Sequence, residues 1–157
     1  MGLLLIEQAF NGLQFGVMLF LIAAGLTLVF GIMDLVNLSH GSLVMVGAYL
    51  ATTLIEWTGS FILGILLALP STFLVGVVVE IVVLRTLYER DHLDQVLATF
   101  GLILFFNELI RIVWGPASLY SGLPESISGH VEILPGVPYP AFRLLIILVG
   151  LLVALLI

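Results

Sequence analysis

The sequence predicts an all-α fold, a polytopic transmembrane helix bundle whose second helix is short or discontinuous. Composition is the first observation behind this. Of 157 residues, 62% are hydrophobic and 9% charged, whereas a soluble domain carries about 25% charged residues. The mean hydropathy is +1.32. The second observation is that the apolar residues gather into five runs. The third is that most of these runs are interrupted by polar or charged residues. Hydrocarbon tolerates such breaks only where protein or a water-filled cavity satisfies the freed backbone. The length sets one membrane domain, residues 1–157.

The first span is expected at about 12–33, because residues 15–33 are uncharged and a crossing helix needs about 20 mainly apolar residues. Residues 1–10 lack a basic n-region and contain Glu7, so they read as an interfacial lead-in rather than a secretory signal. The second run, about 43–56, is short. It crosses with help from Gly41 and Ser42, or it forms a re-entrant half-helix. Residues 56–60 read as a turn that sets Trp57 in the headgroup belt. A third span follows at about 61–84, with Pro70 predicting a kink and Glu80 near its end. Residues 85–95 are the most charged segment and are expected in water. The fourth span, about 96–114, is interrupted late by Asn107, Glu108 and Arg111. Five of the six prolines lie in residues 115–140, which predicts an ordered, non-helical loop outside the bilayer. Residues 141–157 begin a fifth span that no polar residue closes, as expected of a truncated chain.

Small residues recur at four-residue spacing in Gly12 and Gly16, Gly47 and Ala51, and Ser60 and Gly64. Lipid provides no hydrophobic drive between helices, so such pairs favour close backbone approach. Orientation is nearly balanced. Arg85 and Arg90 flank one loop and Arg111 and Arg143 the other, and the positive-inside rule counts both pairs. The stretch 112–142 is free of basic residues, which leans that loop outward.

Two polar groups are candidates for function. Asn37, Ser39, His40, Gly41 and Ser42 can line a cavity and hydrogen-bond a polar solute, or they form a turn in headgroup water. Asn107 and Arg111 share a helix face at i, i+4, and Glu108 pairs with Arg111 at i, i+3. Ionisable groups at membrane depth are functional candidates, although a helix-end ion pair that fixes depth would look the same. Glu80 is expected to pair with Arg85 or to reach the interface.

Other classes find little support. Ser39, Ser42 and His40 lie too close in sequence for a nucleophile–base pair, and no G-x-S-x-G or P-loop is present. The three histidines are scattered, so no metal site is expected, and no cofactor. With no cysteine, thiol chemistry is excluded. Four basic residues, none of them lysine, are too few for nucleic-acid binding.

Residues 37–42 (NLSHGS), followed by 43–49 (LVMVGAY) and preceded by 25–33 (GLTLVFGIM), resemble the signature of the branched-chain amino acid ABC transporter permeases. Glu80 to Arg85 with Leu87, and residues 97–102 (LATFGL) leading to Asn107 and Arg111, match in the same order. Thr86 departs from the proline usual after Arg85. The resemblance implies an N-terminal fragment of a permease that forms part of the path for leucine, isoleucine, valine or a related small neutral solute. Its implied partners are a second permease subunit, cytoplasmic ATP-binding subunits, a periplasmic or extracytoplasmic solute-binding protein and membrane lipid. The chain itself would hydrolyse no ATP. The implied location is a bacterial or archaeal plasma (inner) membrane, multi-pass, with residues 85–95 inside and 115–140 outside. A secondary transporter or channel independent of an ATPase is the alternative class.

Overall fold

The computed structural model describes every residue except 1, 118, 120, 121, 123, 135, 136 and 157. The chain order is α1 (Gly2–Met33), α2 (His40–Thr58), α3 (Phe61–Val82), a 3-10 turn (Leu84–Leu87), α4 (His92–Trp114), α5 (Glu125–Ser128), β1 (His130–Leu134), β2 (Val137–Pro140) and α6 (Ala141–Leu156). Helices dominate, as the composition requires. Residues 4–33 of α1, together with α3 and α4, are long and apolar enough to cross a bilayer. This is a multi-pass membrane protein. Its exposed faces carry side chains that water would not favour, among them Leu66, Leu69, Phe73, Leu97 and Phe105.

Residues 1–157 were expected as one domain, and the structure groups them into two compact units, 26–122 and 1–25 with 123–157. In the first of these, α2 and α3 form a tight hairpin. Gly59 ends α2 with φ 63°, a left-handed conformation that glycine adopts without strain. Ser60 then caps α3 by accepting the Leu63 N–H at 3.5 Å. The two helices approach so closely that a Cβ on Gly64 would stand 2.6 Å from Ile55 Cα, and one on Gly47 would stand 3.2 Å from the Thr72 methyl. The core of this unit gathers Leu35, Val46, Val79, Leu84, Leu102, Phe106 and Ile110. α4 contributes one stripe at helical spacing, running from Gln95 through Thr99, Leu102 and Phe106 to Ile110. At the far end of that helix, Trp114 Nε1 donates to Thr53 Oγ1 at 2.7 Å. Its ring also lies 5.4 Å from that of Tyr49.

In the other unit β1 and β2 pair antiparallel, with Val131 opposite Tyr139 and a register shift between Glu132 and Leu134. Tyr139 is fully buried. Its hydroxyl donates to Asn11 Oδ1 at 3.2 Å, and its ring lies 5.5 Å from that of Phe10. Arg143 Nη1 donates to the same oxygen at 2.6 Å. Gly150 on α6 meets Val17 so closely that a side chain would clash.

Several boundaries differ from the sequence expectation. α1 starts at Gly2, so the lead-in is part of the same helix. α2 is short but continuous, 19 residues from His40 to Thr58. The discontinuity lies before it, and the turn after it is only Gly59–Ser60, because Glu56–Thr58 remain helical. α4 begins at His92, so the last residues of the charged segment are helical and Gln95 is buried rather than in water. The 115–140 connection is not purely irregular, since it holds α5 and the β1–β2 hairpin. These additions leave the all-α bundle intact.

Candidate functional site

The first candidate group sits where α1 stops. Asp34 takes φ 49°, and its N–H still bonds Phe30 O at 2.9 Å. A left-handed residue after the last helical turn is how many helices end, and aspartate is among the few non-glycine residues that tolerate it. The chain then runs irregularly through 34–39 before α2 begins.

Alternate residues of this link turn into the protein, while Asp34 and Leu38 stay exposed. Leu35, Asn37 and Ser39 are 0%, 3% and 0% exposed. Backbone freed from helix must find partners when it leaves water, and two polar side chains of α4 supply them. Val36 N–H donates to Gln95 Oε1 at 2.9 Å. Leu38 N–H donates to Thr99 Oγ1 at 3.2 Å. Within the link, Asn37 Oδ1 accepts the Ser39 N–H at 3.0 Å and the Ser39 hydroxyl at 2.6 Å, closing an Asx turn. The Ser39 hydroxyl therefore serves Asn37 rather than His40, and no nucleophile–base pair forms there.

The remaining members of the group open α2. His40 is partly exposed and Gly41 exposed, whereas Ser42 is buried at 7%. Among the described residues, the His40 ring and the Ser42 hydroxyl have no hydrogen-bond partner. The side chains of Asn37 and Ser39 are thus engaged within the link, whereas those of His40 and Ser42, at the start of α2, are not. A cavity of about 250 Å³ lies further along α2, lined by Ala48, Tyr49, Thr52 and Leu119.

The second group lies elsewhere. Asn107, Glu108 and Arg111 are exposed on α4, away from its inner stripe. Arg111 Nη1 stands 3.9 Å from Glu108 Oε2, with both side chains more than half exposed. At about 1.5 Å per residue, Asn107 is about 12 Å along α4 from Thr99. The structure therefore does not bring the two groups together. Among the described residues, no three His, Cys, Asp or Glu side chains gather as metal ligands would.

Glu80 behaves as its position suggests. Its carboxylate accepts from Arg85 Nε at 3.3 Å and Nη2 at 3.2 Å, and from the Tyr88 hydroxyl at 3.1 Å. Burial, followed by the bond to Glu80, pushes the Tyr88 hydroxyl above its usual pKa.

Sequence reasoning missed Gln95, Thr99 and Trp114. A polar residue one position before an apolar run reads as the end of a loop. Its partners lie 59 residues away for Gln95 and 61 for Thr99, beyond any local pattern. Thr99 at i+4 from Gln95 was the available signal, because it puts two polar residues on one face of a membrane helix.

The family described as "Branched-chain amino acid transport system / permease component" matches residues 8–157. The chain is 31% identical over 116 residues to the high-affinity branched-chain amino acid transport system permease protein BraD of Pseudomonas aeruginosa. That alignment covers 68% of the chain and 38% of BraD. The permease protein LivH of Escherichia coli K12 is 27% identical over 141 residues, covering 81% of the chain and 45% of LivH. LivH of Salmonella typhimurium is 27% identical over 138 residues, 80% of the chain and 43% of its own length. The chain thus spans less than half the length of these relatives. No solved structure matches it.

Proposed function

The chain belongs to the permease family of branched-chain amino acid transport systems, and from that premise we propose that it forms part of the membrane path of an ABC importer. The solute is a branched-chain amino acid or a related small neutral molecule. A solute-binding protein outside the inner membrane delivers it, a second permease subunit completes the path, and ATP-binding subunits inside drive alternating access.

The observation that carries this reading is the buried break at 34–39. A chain that only anchors something has no use for irregular backbone between two apolar helices. In membrane proteins such breaks occur where the backbone is buried in protein or lines a cavity, and discontinuous helices are a recurrent means of building solute sites. The hydrogen bonds of the link divide the candidates. Asn37 and Ser39 hold the break, and His40, Gly41 and Ser42 at the start of α2 are the residues offered to the solute. Asn107, Glu108 and Arg111 line a separate stretch of the path or contact the second permease subunit.

Uptake by the intact transporter in proteoliposomes tests this. His40→Ala and Asn107→Ala are expected to cut uptake several-fold with the folded yield unchanged, and ATP depletion to abolish it. Wild-type uptake by both variants would remove these residues from the path. Uptake that persists without ATP would favour a secondary carrier or channel instead.

A further inference from the structure

We infer that Gln95 is a positioning residue that makes the buried break and the interfacial turn before α4 move as one body. The inference rests on the permease reading for its functional consequence but on hydrogen bonds for its geometry.

Gln95 is 2% exposed, and both ends of its amide are engaged. Oε1 accepts the Val36 N–H from the break at 2.9 Å. It also lies 3.3 Å from His92 Nδ1, which must then carry the proton, because an amide oxygen only accepts. Nε2 donates to Leu87 O and to Arg90 O, each at 3.2 Å. These carbonyls belong to the 3-10 turn and the bend that follows it. Thr99 stands one turn further along α4. It accepts the Leu38 N–H at 3.2 Å and donates to Gln95 O at 2.7 Å, which keeps the pair in register.

The side-chain chemistry is specific. The break presents N–H groups that need acceptors, and the turn presents C=O groups that need donors. A primary amide supplies both from one planar group. Glutamate at this position keeps the acceptor and loses one or both donors, leucine loses all three functions, and asparagine falls one methylene short. Neither segment can shift alone without leaving buried polar groups unpaired, so displacement of the turn is delivered to the break. With the turn on the side of the ATP-binding subunits, Gln95 carries part of the coupling between their cycle and the solute path.

Two measurements on the reconstituted transporter decide this. Spin labels at L38C and E89C report the separation of break and turn, and a control pair at W57C and I62C reports the α2–α3 hairpin. A single narrow distance is expected for the L38C/E89C pair. Q95E and Q95L are expected to broaden it while the control pair stays narrow. Narrow distances throughout in Q95E would overturn the clamp, and Q95L separates the result from the residual acceptor of Q95E. The second readout is ATP hydrolysed per solute taken up, expected to rise about fivefold or more in Q95E, which a merely structural residue would not produce. An unchanged ratio would overturn the coupling role. Failure of the wild-type assembly to take up any solute would instead sink the permease reading, and the distance measurement would still judge the clamp.

Discussion

At Gly64 a side chain has nowhere to go. A Cβ there would meet the Cα of Ile55 at 2.6 Å and its backbone nitrogen at 2.7 Å, and neither atom can rotate away. Gly64→Ala is therefore expected to destabilise the protein by about 1–3 kcal/mol. Gly76, on the same helix, has nothing within 4 Å of a built Cβ. Gly76→Ala is expected to be neutral or stabilising by up to about 1 kcal/mol, because alanine is the better helix former. Unfolding of the two variants in detergent checks the contrast, and equal effects would mean that α2 and α3 are not in close contact there. The spacing of Ser60 and Gly64 was legible as a close approach. Gly12 and Gly16, which share that spacing, have open space around them, whereas Gly150, four residues before Ala154, meets Val17. Spacing identifies faces that can come close but not which faces do. Tyr88 gives a pH prediction of the same local kind. Its pKa is raised above the usual value of about 10, so the folded state holds the proton more tightly than the unfolded state. Its contribution to stability is then complete below about pH 10 and is lost as the pH climbs through the raised value. Thermal unfolding should fall off in this range more steeply for the wild type than for Tyr88→Phe, and identical slopes would refute the assignment.

For whole elements, the question is why α1 and α2 are separate helices. No proline or glycine stands between Met33 and His40 to impose the break. What ends α1 is Asp34 turning left-handed, and what keeps the link irregular is the supply of partners from α4. The position of the break was readable in the sequence, since NLSHGS interrupts apolar runs. The extent of α2 was not, because Glu56–Thr58 and His40–Ser42 look like turn residues when hydropathy alone is followed. Helix continues through them because backbone hydrogen bonds matter more than side-chain polarity until Gly59 adopts positive φ. The β-hairpin was hidden by prolines, which read as loop. Pro138 and Pro140 nevertheless fit a two-stranded ribbon, where each strand has an unpaired edge. The dependence of the link on α4 can be tested directly. Thr99→Val keeps the shape and removes the acceptor for the Leu38 N–H, and is expected to cost about 1–3 kcal/mol. Thr52→Val removes a hydroxyl that bonds only its own helix at Ala48 O, 3.0 Å away, and should change stability by no more than about 0.5 kcal/mol. Amide exchange gives the sharper measurement. In Thr99→Val the Leu38 amide should lose protection while the Val36 amide, held by Gln95, keeps it.

On the scale of the molecule, α4 is the element that fixes sidedness. It has 23 residues and at about 1.5 Å per residue is about 34 Å long, enough for a hydrocarbon core of about 30 Å. Its outward surface is apolar at Leu97, Leu104 and Phe105, as lipid requires. The bend at 88–91 and the residues after Trp114 must then lie on opposite sides of the membrane. Arginine counting alone leaves the direction nearly balanced, with Arg85 and Arg90 flanking one loop and Arg111 and Arg143 the other. Arg85 is held by Glu80 in a two-point contact, yet pairing does not remove it from the count, because the positive-inside rule follows basic residues and not net charge. Arg111 lies in the last helical turn, where it also interacts favourably with the helix dipole, so helix chemistry gives a reason for its presence that is independent of topology. That weighs toward the end bearing Arg85 and Arg90 as the inner one, in agreement with the proposed permease orientation. Single cysteines at Asp91 and Pro116 read this out, since the chain has no cysteine of its own. In intact cells a membrane-impermeant thiol reagent is expected to label P116C readily and D91C only after the membrane is permeabilised. Labelling of both without permeabilisation would show that α4 does not cross. The reverse pattern would keep the crossing and invert the protein, placing the Gln95 clamp at the outer surface and removing its proposed link to the ATP-binding subunits.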